Sequence, residues 1–278
     1  MASQIERILI LCKTYPSPSA RYAETSCVAG INQKGEMRRI YPVPFRTIRD
    51  EKQFKKWQWV EARVERSRND NRPESYKIYV DTIKCDDKPL ATSDGWRERR
   101  AWLDKIPQFE SFDAAEQARQ RHGLTLVLVR PSRVIALEIR KTGSPIWTEE
   151  EKQKLLQLQN QGELFDETDS RTLRLLKKLP YDFHYRYECD AATGKSAHRH
   201  KIVDWEAGAL FWNVRRRHGD HWEKPFRAKL EQDLPAKDLM FLLGTMHRFP
   251  DQWLIVSLIY PPPRPRLEEP RQQSLPLP

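Results

Sequence analysis

The sequence predicts an α+β fold with a β-barrel-like N-terminal part, a mixed α/β C-terminal part and a disordered, Pro-rich tail. Three observations lead there. Period-two alternation between Gly-bearing or polar turns recurs through the first 84 residues. Helical patterns then alternate with short apolar runs as far as Tyr260. From Pro261 onward seven of eighteen residues are proline and none is aromatic, which suits an extended or disordered segment. The divisions expected are 1–142, 146–260 and 261–278, with Gly143-Ser144-Pro145 at the boundary.

Each element has a local reason. Arg7–Cys12 is a short apolar strand. Glu24–Asn32 and Met37–Pro44 flank a Gly-containing loop and form a hairpin. Trp57–Arg66 and Tyr76–Lys84 alternate as half-exposed strands across the polar loop 67–75. Four to six strands spaced like hairpins suggest a small barrel or curled sheet. Asp94–Lys105 and Ser111–His122 read as helices, the second with a Ser cap. Leu124–Val129 and Val134–Ile139 are compact apolar strands, and Thr148–Gln161 is an amphipathic helix opened by a Thr148/Glu151 capping box. Asp182–Cys189 and Ala197–Val203 are strands. Trp205–Arg217 is a helix with Trp205, Ala209 and Trp212 on one stripe, and Leu239–Gly244 and Trp253–Tyr260 close the pattern as apolar strands.

Composition narrows the partner. The chain has 278 residues and a net charge of +10, from 49 Lys and Arg against 39 Asp and Glu. An excess carried by arginine, as in Arg97-Glu-Arg-Arg100 and Arg215-Arg-Arg217, suits phosphate through a planar bidentate fork. No apolar run reaches membrane-spanning length, and the first residues lack a signal pattern, so a cytoplasmic protein without membrane contact is expected. Cys12, Cys27, Cys85 and Cys189 are scattered, as reduced structural thiols are. No P-loop, GxGxxG, GxSxG or HExxH is present. Cys189 and His184 fall on opposite faces of one strand, which excludes a Cys/His dyad there.

The densest chemistry lies in Gly194–Glu206, where His198, His200, Asp204 and Glu206 fall within nine residues. These four are the candidate catalytic residues. His198, His200 and Asp204 are the candidate ligands of a divalent metal that would activate water for phosphodiester cleavage. A structural alternative stands beside this. Asp204 sits where a helix N-cap belongs, and Glu206 favours the same positive dipole end. Glu138-Ile-Arg140, with Glu188 and Lys195 nearby, only echoes the acid-x-lysine pattern of restriction-type nucleases. Arg215 and Arg216 end the helix that begins at Asp204, about 20 Å along its axis, and are candidate phosphate contacts.

Cys27-Val-Ala-Gly-Ile31, a Gly-bearing turn, and Arg38-Arg-Ile-Tyr-Pro-Val43 before Phe45 and Arg46 resemble the first hairpin of dual-OB-containing domains found in bacterial defence loci. The resemblance covers about fifty residues. It implies an OB-like barrel that holds nucleic acid by stacking bases in a basic groove. Tyr41, Trp57, Trp59 and Tyr76 match the stacking role, and Arg38, Arg39, Arg46 and Arg72 the basic one. Arg-Arg-Ile-Tyr stands where the pattern has Trp-Ile-Arg.

The expectation is therefore a nucleic-acid-binding protein, with DNA ahead of RNA, recognising foreign or modified DNA. The alternative is a metal-dependent nuclease or other nucleic-acid hydrolase built on the His/Asp/Glu cluster. A third reading is a scaffold whose Pro-rich tail docks a protein partner.

Overall fold

The computed structural model describes residues 3–18, 24–45, 50–143, 177–191 and 194–264, with the isolated positions 48, 146, 148–150 and 153. The expected helix Thr148–Gln161 falls largely outside the described residues, as do Ser144, Pro145, Arg46 and the tail from 265.

Strand β1 (Gln4–Lys13) carries an unbroken apolar run because both of its faces are buried. Ile8 and Ile10 point into the barrel, whereas Leu9 and Leu11 point outward under the second sheet. Around it lie β2 (Ser17–Pro18), β3 (Glu24–Asn32), β4 (Met37–Val43), β5 (Trp59–Arg66), β6 (Ser75–Ile78) and β7 (Lys84–Cys85). β1 pairs with β3, β3 with β4, β4 with β6 in parallel, β6 with β5, and β5 again with β1. The ring closes as a five-stranded OB-like barrel filled by Ile8, Ile10, Val28, Ile40, Val60, Ala62, Val64 and Ile78. Gly30 lets β1 and β3 approach, since a Cβ there would lie 2.5 Å from the Leu9 carbonyl oxygen. The expected strand 76–84 breaks after Ile78 into a 3-10 turn at Val80–Thr82.

Helix α1 (Ser93–Leu103) follows, opening on three left-handed residues, Asp94, Gly95 and Trp96. The second sheet begins at β8 (Gln108–Phe109). Helix α2 (Phe112–His122) is capped by Ser111, whose hydroxyl accepts from the Ala114 N–H at 3.2 Å. Then come β9 (Leu126–Val129), β10 (Arg133–Lys141), β11 (Tyr181–Ala191), β12 (Gly194–Ile202), α3 (Trp205–His218), α4 (Glu223–Arg227), β13 (Met240–Thr245) and β14 (Trp253–Ile259). The sheet order is β10-β11-β12-β14-β13-β9-β8. β9 and β10, grouped by sequence with the N-terminal part, pair with β13 and β11 instead.

One face of this sheet is packed by helices. Leu137, Phe183, Tyr185, Tyr187 and Ile255 meet Phe211, Trp222, Phe226 and Leu230 there. The buried stripe of α3 is Ala207, Gly208 and Phe211, displaced from the expected Trp205–Ala209–Trp212. Gly208 admits the ring of Tyr15, which a Cβ would meet at 2.2 Å. α4 continues as a π-helical turn, Ala228–Asp233, which sequence inspection passes over. Its residues clamp the edge strand: the Leu137 N–H donates to Glu231 Oε1 and Arg227 Nη1 donates to the Leu137 carbonyl, both at 2.6 Å. Satisfying an outward N–H and C=O this way blunts a sheet edge.

The opposite face divides in two. β9, β13 and β14 lay Leu126, Leu128, Met240, Leu242 and Val256 on the barrel's outer Leu9, Leu11, Ala29 and Ile31. The half formed by β10, β11 and β12 carries charged side chains and, among the described residues, no helix. The chain after β14 remains in the fold a little further than expected. The Asp238 N–H donates to the Pro261 carbonyl at 3.0 Å, and Arg100 donates to that of Pro262 at 2.5 Å.

Candidate nucleic-acid interface

The His/Asp/Glu cluster is split by the strand that carries it. His198 and His200 lie on the helix side of β12, against the Phe112 ring at centroid distances of 4.9 and 4.6 Å. Ser196 Oγ is 2.8 Å from His198 Nε2. The Tyr187 hydroxyl is 3.0 Å from His200 Nδ1. Burial pushes the His200 ring down to about 4, with neighbouring His198 and His184 adding to the shift. Burial also holds Tyr187 well above the ordinary phenol range. At neutral pH the contact therefore joins a neutral phenol and a neutral imidazole.

Asp204 lies elsewhere. It is buried at the corner where α3 starts, accepting from the Glu206 N–H at 2.6 Å and the Leu258 N–H at 2.8 Å. Lys56 Nζ stands 3.9 Å from Asp204 and 3.1 Å from Glu206. Burial raises the Asp204 pKa, and Lys56 opposes that shift. The carboxylates thus cap a helix and tie it to the barrel. Among the described residues no three His, Cys, Asp or Glu side chains are grouped to hold a metal ion.

The barrel residues expected to meet nucleic acid are mostly turned inward. Trp57 is 3% exposed and packs edge-on against Trp96. Trp59 sits edge-on to Trp102 at 4.9 Å, with the Arg7 guanidinium 5.4 Å from its ring. Tyr76 lies under Arg38, which itself pairs with Glu6 at 2.7 Å and Glu36 at 2.6 Å. Arg39, 3% exposed, donates to the Thr125 carbonyl at 2.9 Å and pairs with Glu74 at 3.2 Å. Arg72 is gripped by Asp70 at 2.6 Å and donates to the Thr245 carbonyl at 2.5 Å. These groups fasten the barrel to itself and to the second sheet. Tyr41 is the exception, at 47% exposure. Arg215 and Arg216 also face outward on the last turn of α3, bonded to Asp220 at 3.2 Å and Asn213 at 2.7 Å.

The open half-sheet is the surface that sequence inspection missed. Arg133, Arg140, Arg186, Lys195, Arg199 and Lys201 share it with Glu138, Asp182, Glu188 and Asp190. Glu138 takes Arg199 at 2.8 Å and Arg140 at 3.1 Å, Asp182 takes Lys201 at 2.7 Å, and Glu188 takes Arg133 at 3.1 Å. Arg186 has no carboxylate within pairing distance among the described residues. It lies directly across from Arg199 in the β11–β12 ladder. Facing like charges on adjacent strands are unfavourable. His184, next to this pair, keeps a buried Nδ1 with no hydrogen-bond partner. Burial, then Arg199, Lys201 and Arg140, push its ring down to about 4, against the pull of Asp182. The alternation of charge at 182, 184, 186 and 188 was a readable signal of an open face.

No helix among the described residues is long and apolar enough to cross a membrane. A family model described as Domain of unknown function (DUF8758) matches residues 4–105, and one described as Domain of unknown function (DUF8757) matches residues 108–277. The two matches meet where the second sheet begins. No curated protein matches the chain. One similar solved structure is described as "Structure and Conformational Change of a Replication Protein A Heterotrimer Bound to ssDNA", at 9% identity. The alignment covers 93% of this chain and 66% of that one, with a TM-score of 0.25. A score that low assigns neither fold nor ligand, and the chain spans just under two thirds of the other's length. With residues 108–277 matched, more than half of its 278, the protein belongs to the DUF8757 family.

Proposed function

We propose that the protein binds nucleic acid, DNA ahead of RNA, through phosphate contacts and not through stacked bases. The observation that carries this is the contrast between its aromatic and its cationic side chains. Trp57 is buried, and Trp59 and Tyr76 are half-buried against Trp102 and Arg38, whereas the open half-sheet and the end of α3 present arginines to solvent. A base needs a free ring face to stack on. A phosphate needs only an accessible cation. The net charge of +10 and the OB-like barrel agree with a polyanionic partner. A role in recognising foreign or modified DNA is carried by the resemblance of residues 27–46.

Fluorescence anisotropy with labelled duplex DNA, single-stranded DNA and RNA of matched length tests the reading. Duplex DNA should bind, and Tyr41→Ala should change its affinity less than about twofold, well below the 1–3 kcal/mol of a stacked base. Binding confined to single strands and abolished by Tyr41→Ala would refute phosphate-dominated recognition. Absence of binding to all three would refute the function.

A further inference from the structure

We infer that the open half of the second sheet is the phosphate-binding site, with Arg186 and Arg199 as paired guanidinium contacts to a nucleic-acid backbone. This rests on the nucleic-acid reading above and names its surface. Three features of the face converge. β9, β13 and β14 spend the same side of the sheet on the barrel, so among the described residues β10, β11 and β12 are the part left open beside it. At its centre two arginines oppose each other across the β11–β12 ladder, and Glu138 bonds only Arg199 of the two. That bond draws Arg199 diagonally across β11 to β10, toward the position of His184, which faces Glu138 in the ladder. A buried imidazole nitrogen without a partner completes the centre.

The chemistry follows from the imbalance. Two guanidinium groups offer planar forks of N–H donors that match phosphate oxygens, and their mutual repulsion is relieved when an anion sits between them. Among the described residues no Phe, Tyr or Trp ring and no Asn or Gln side chain of β10, β11 or β12 stands on the face to read base edges. Contacts there would position a backbone and carry no sequence information. The face suits a sugar–phosphate chain running across three strands, with Arg133 and Lys195 at one end and Arg140 and Lys201 at the other.

The test compares the intact protein with Arg186→Gln/Arg199→Gln and with Arg215→Gln/Arg216→Gln, using duplex DNA over a range of salt. The sheet-face variant should lose on the order of tenfold or more in affinity, and its log–log salt slope should flatten by about 0.9 for each phosphate it no longer neutralises. The helix-end variant should lose less. Arg186→Lys/Arg199→Lys, which keeps the charge but not the fork, should restore the wild-type salt slope and only part of the affinity, so a mere folding defect is separated from a missing phosphate partner. In the wild-type protein the His184 ring resonances should shift saturably as DNA is added. Unchanged affinity and slope in the sheet-face variant, with wild-type binding intact, would overturn the site and leave the function standing. Failure of the wild-type protein to bind any nucleic acid would remove both.

Discussion

Asp204 Oδ2 accepts a hydrogen bond at 2.8 Å from the backbone N–H of Leu258, a residue on β14 and 54 positions along the chain. Its second oxygen takes the Glu206 N–H, and Lys56 from the barrel side approaches at 3.9 Å. One carboxylate thus joins a helix start, the end of β14 and a lysine outside the second sheet.

Removing that carboxylate should be costly. Asp204→Ala leaves the Glu206 and Leu258 N–H groups without their acceptor and removes one of the two carboxylates beside Lys56, a loss of about 3–5 kcal/mol. Asp204→Asn keeps one acceptor oxygen and should cost less. Urea unfolding midpoints of the two variants check the order. A catalytic role without structural weight would leave both midpoints near the wild-type value.

Trp57→Ala should behave as a core truncation, costing about 3–5 kcal/mol of stability. The folded fraction should then bind DNA with wild-type affinity, because neither indole face is open. Affinity measured well below the melting temperature decides between a stacking and a packing role.

Arg39→Ala should loosen the packing of barrel on second sheet. It strands the buried Glu74 carboxylate and frees the Thr125 carbonyl, at a cost of about 3–5 kcal/mol. Arg39 is 3% exposed, so DNA affinity of the folded protein should not change. Hydrogen exchange should report the loosening first at Leu126 and Gly244, beside the broken hydrogen bonds.

Acid should weaken the fold partly through His200. Above its ordinary pKa of 6.5 the ring is neutral in both folded and unfolded chains, and it adds nothing to pH dependence. Between 6.5 and about 4 the unfolded chain takes up a proton that the folded one refuses, so stability falls as pH drops. At about 1.4 kcal/mol per pH unit the loss approaches roughly 3 kcal/mol. His200→Gln should reduce the difference between urea midpoints at pH 7 and pH 4.5. An identical difference in both proteins would contradict a buried, neutral His200.

Much of the fold was legible in the chain, and the reason is periodicity. β3 and β4 with their turn, the Ser111 cap and the Asp204 cap follow from local chemistry and stand where it puts them. Sheet membership was not legible: β9 and β10 read as strands, but their partners β13 and β11 come far later in the chain. The turn after α3 was missed although Trp222, Phe226, Leu230 and Leu234 recur every four residues. Pro225 masks that rhythm. For the site, i, i+2 spacing put His198 and His200 on one face, and they share it. The same spacing does not carry past the strand's end, so Asp204 turns into the helix start. Which arginines stay free depends on carboxylates far away in sequence, such as Glu6 for Arg38 and Glu74 for Arg39.

The most direct measurement is the salt dependence of duplex DNA binding by the intact protein. Phosphate-dominated recognition predicts a linear fall of log affinity with log salt, with a slope of about −0.9 per phosphate contact. Two unrelated duplex sequences should give the same slope. An affinity that holds steady as salt rises would contradict it.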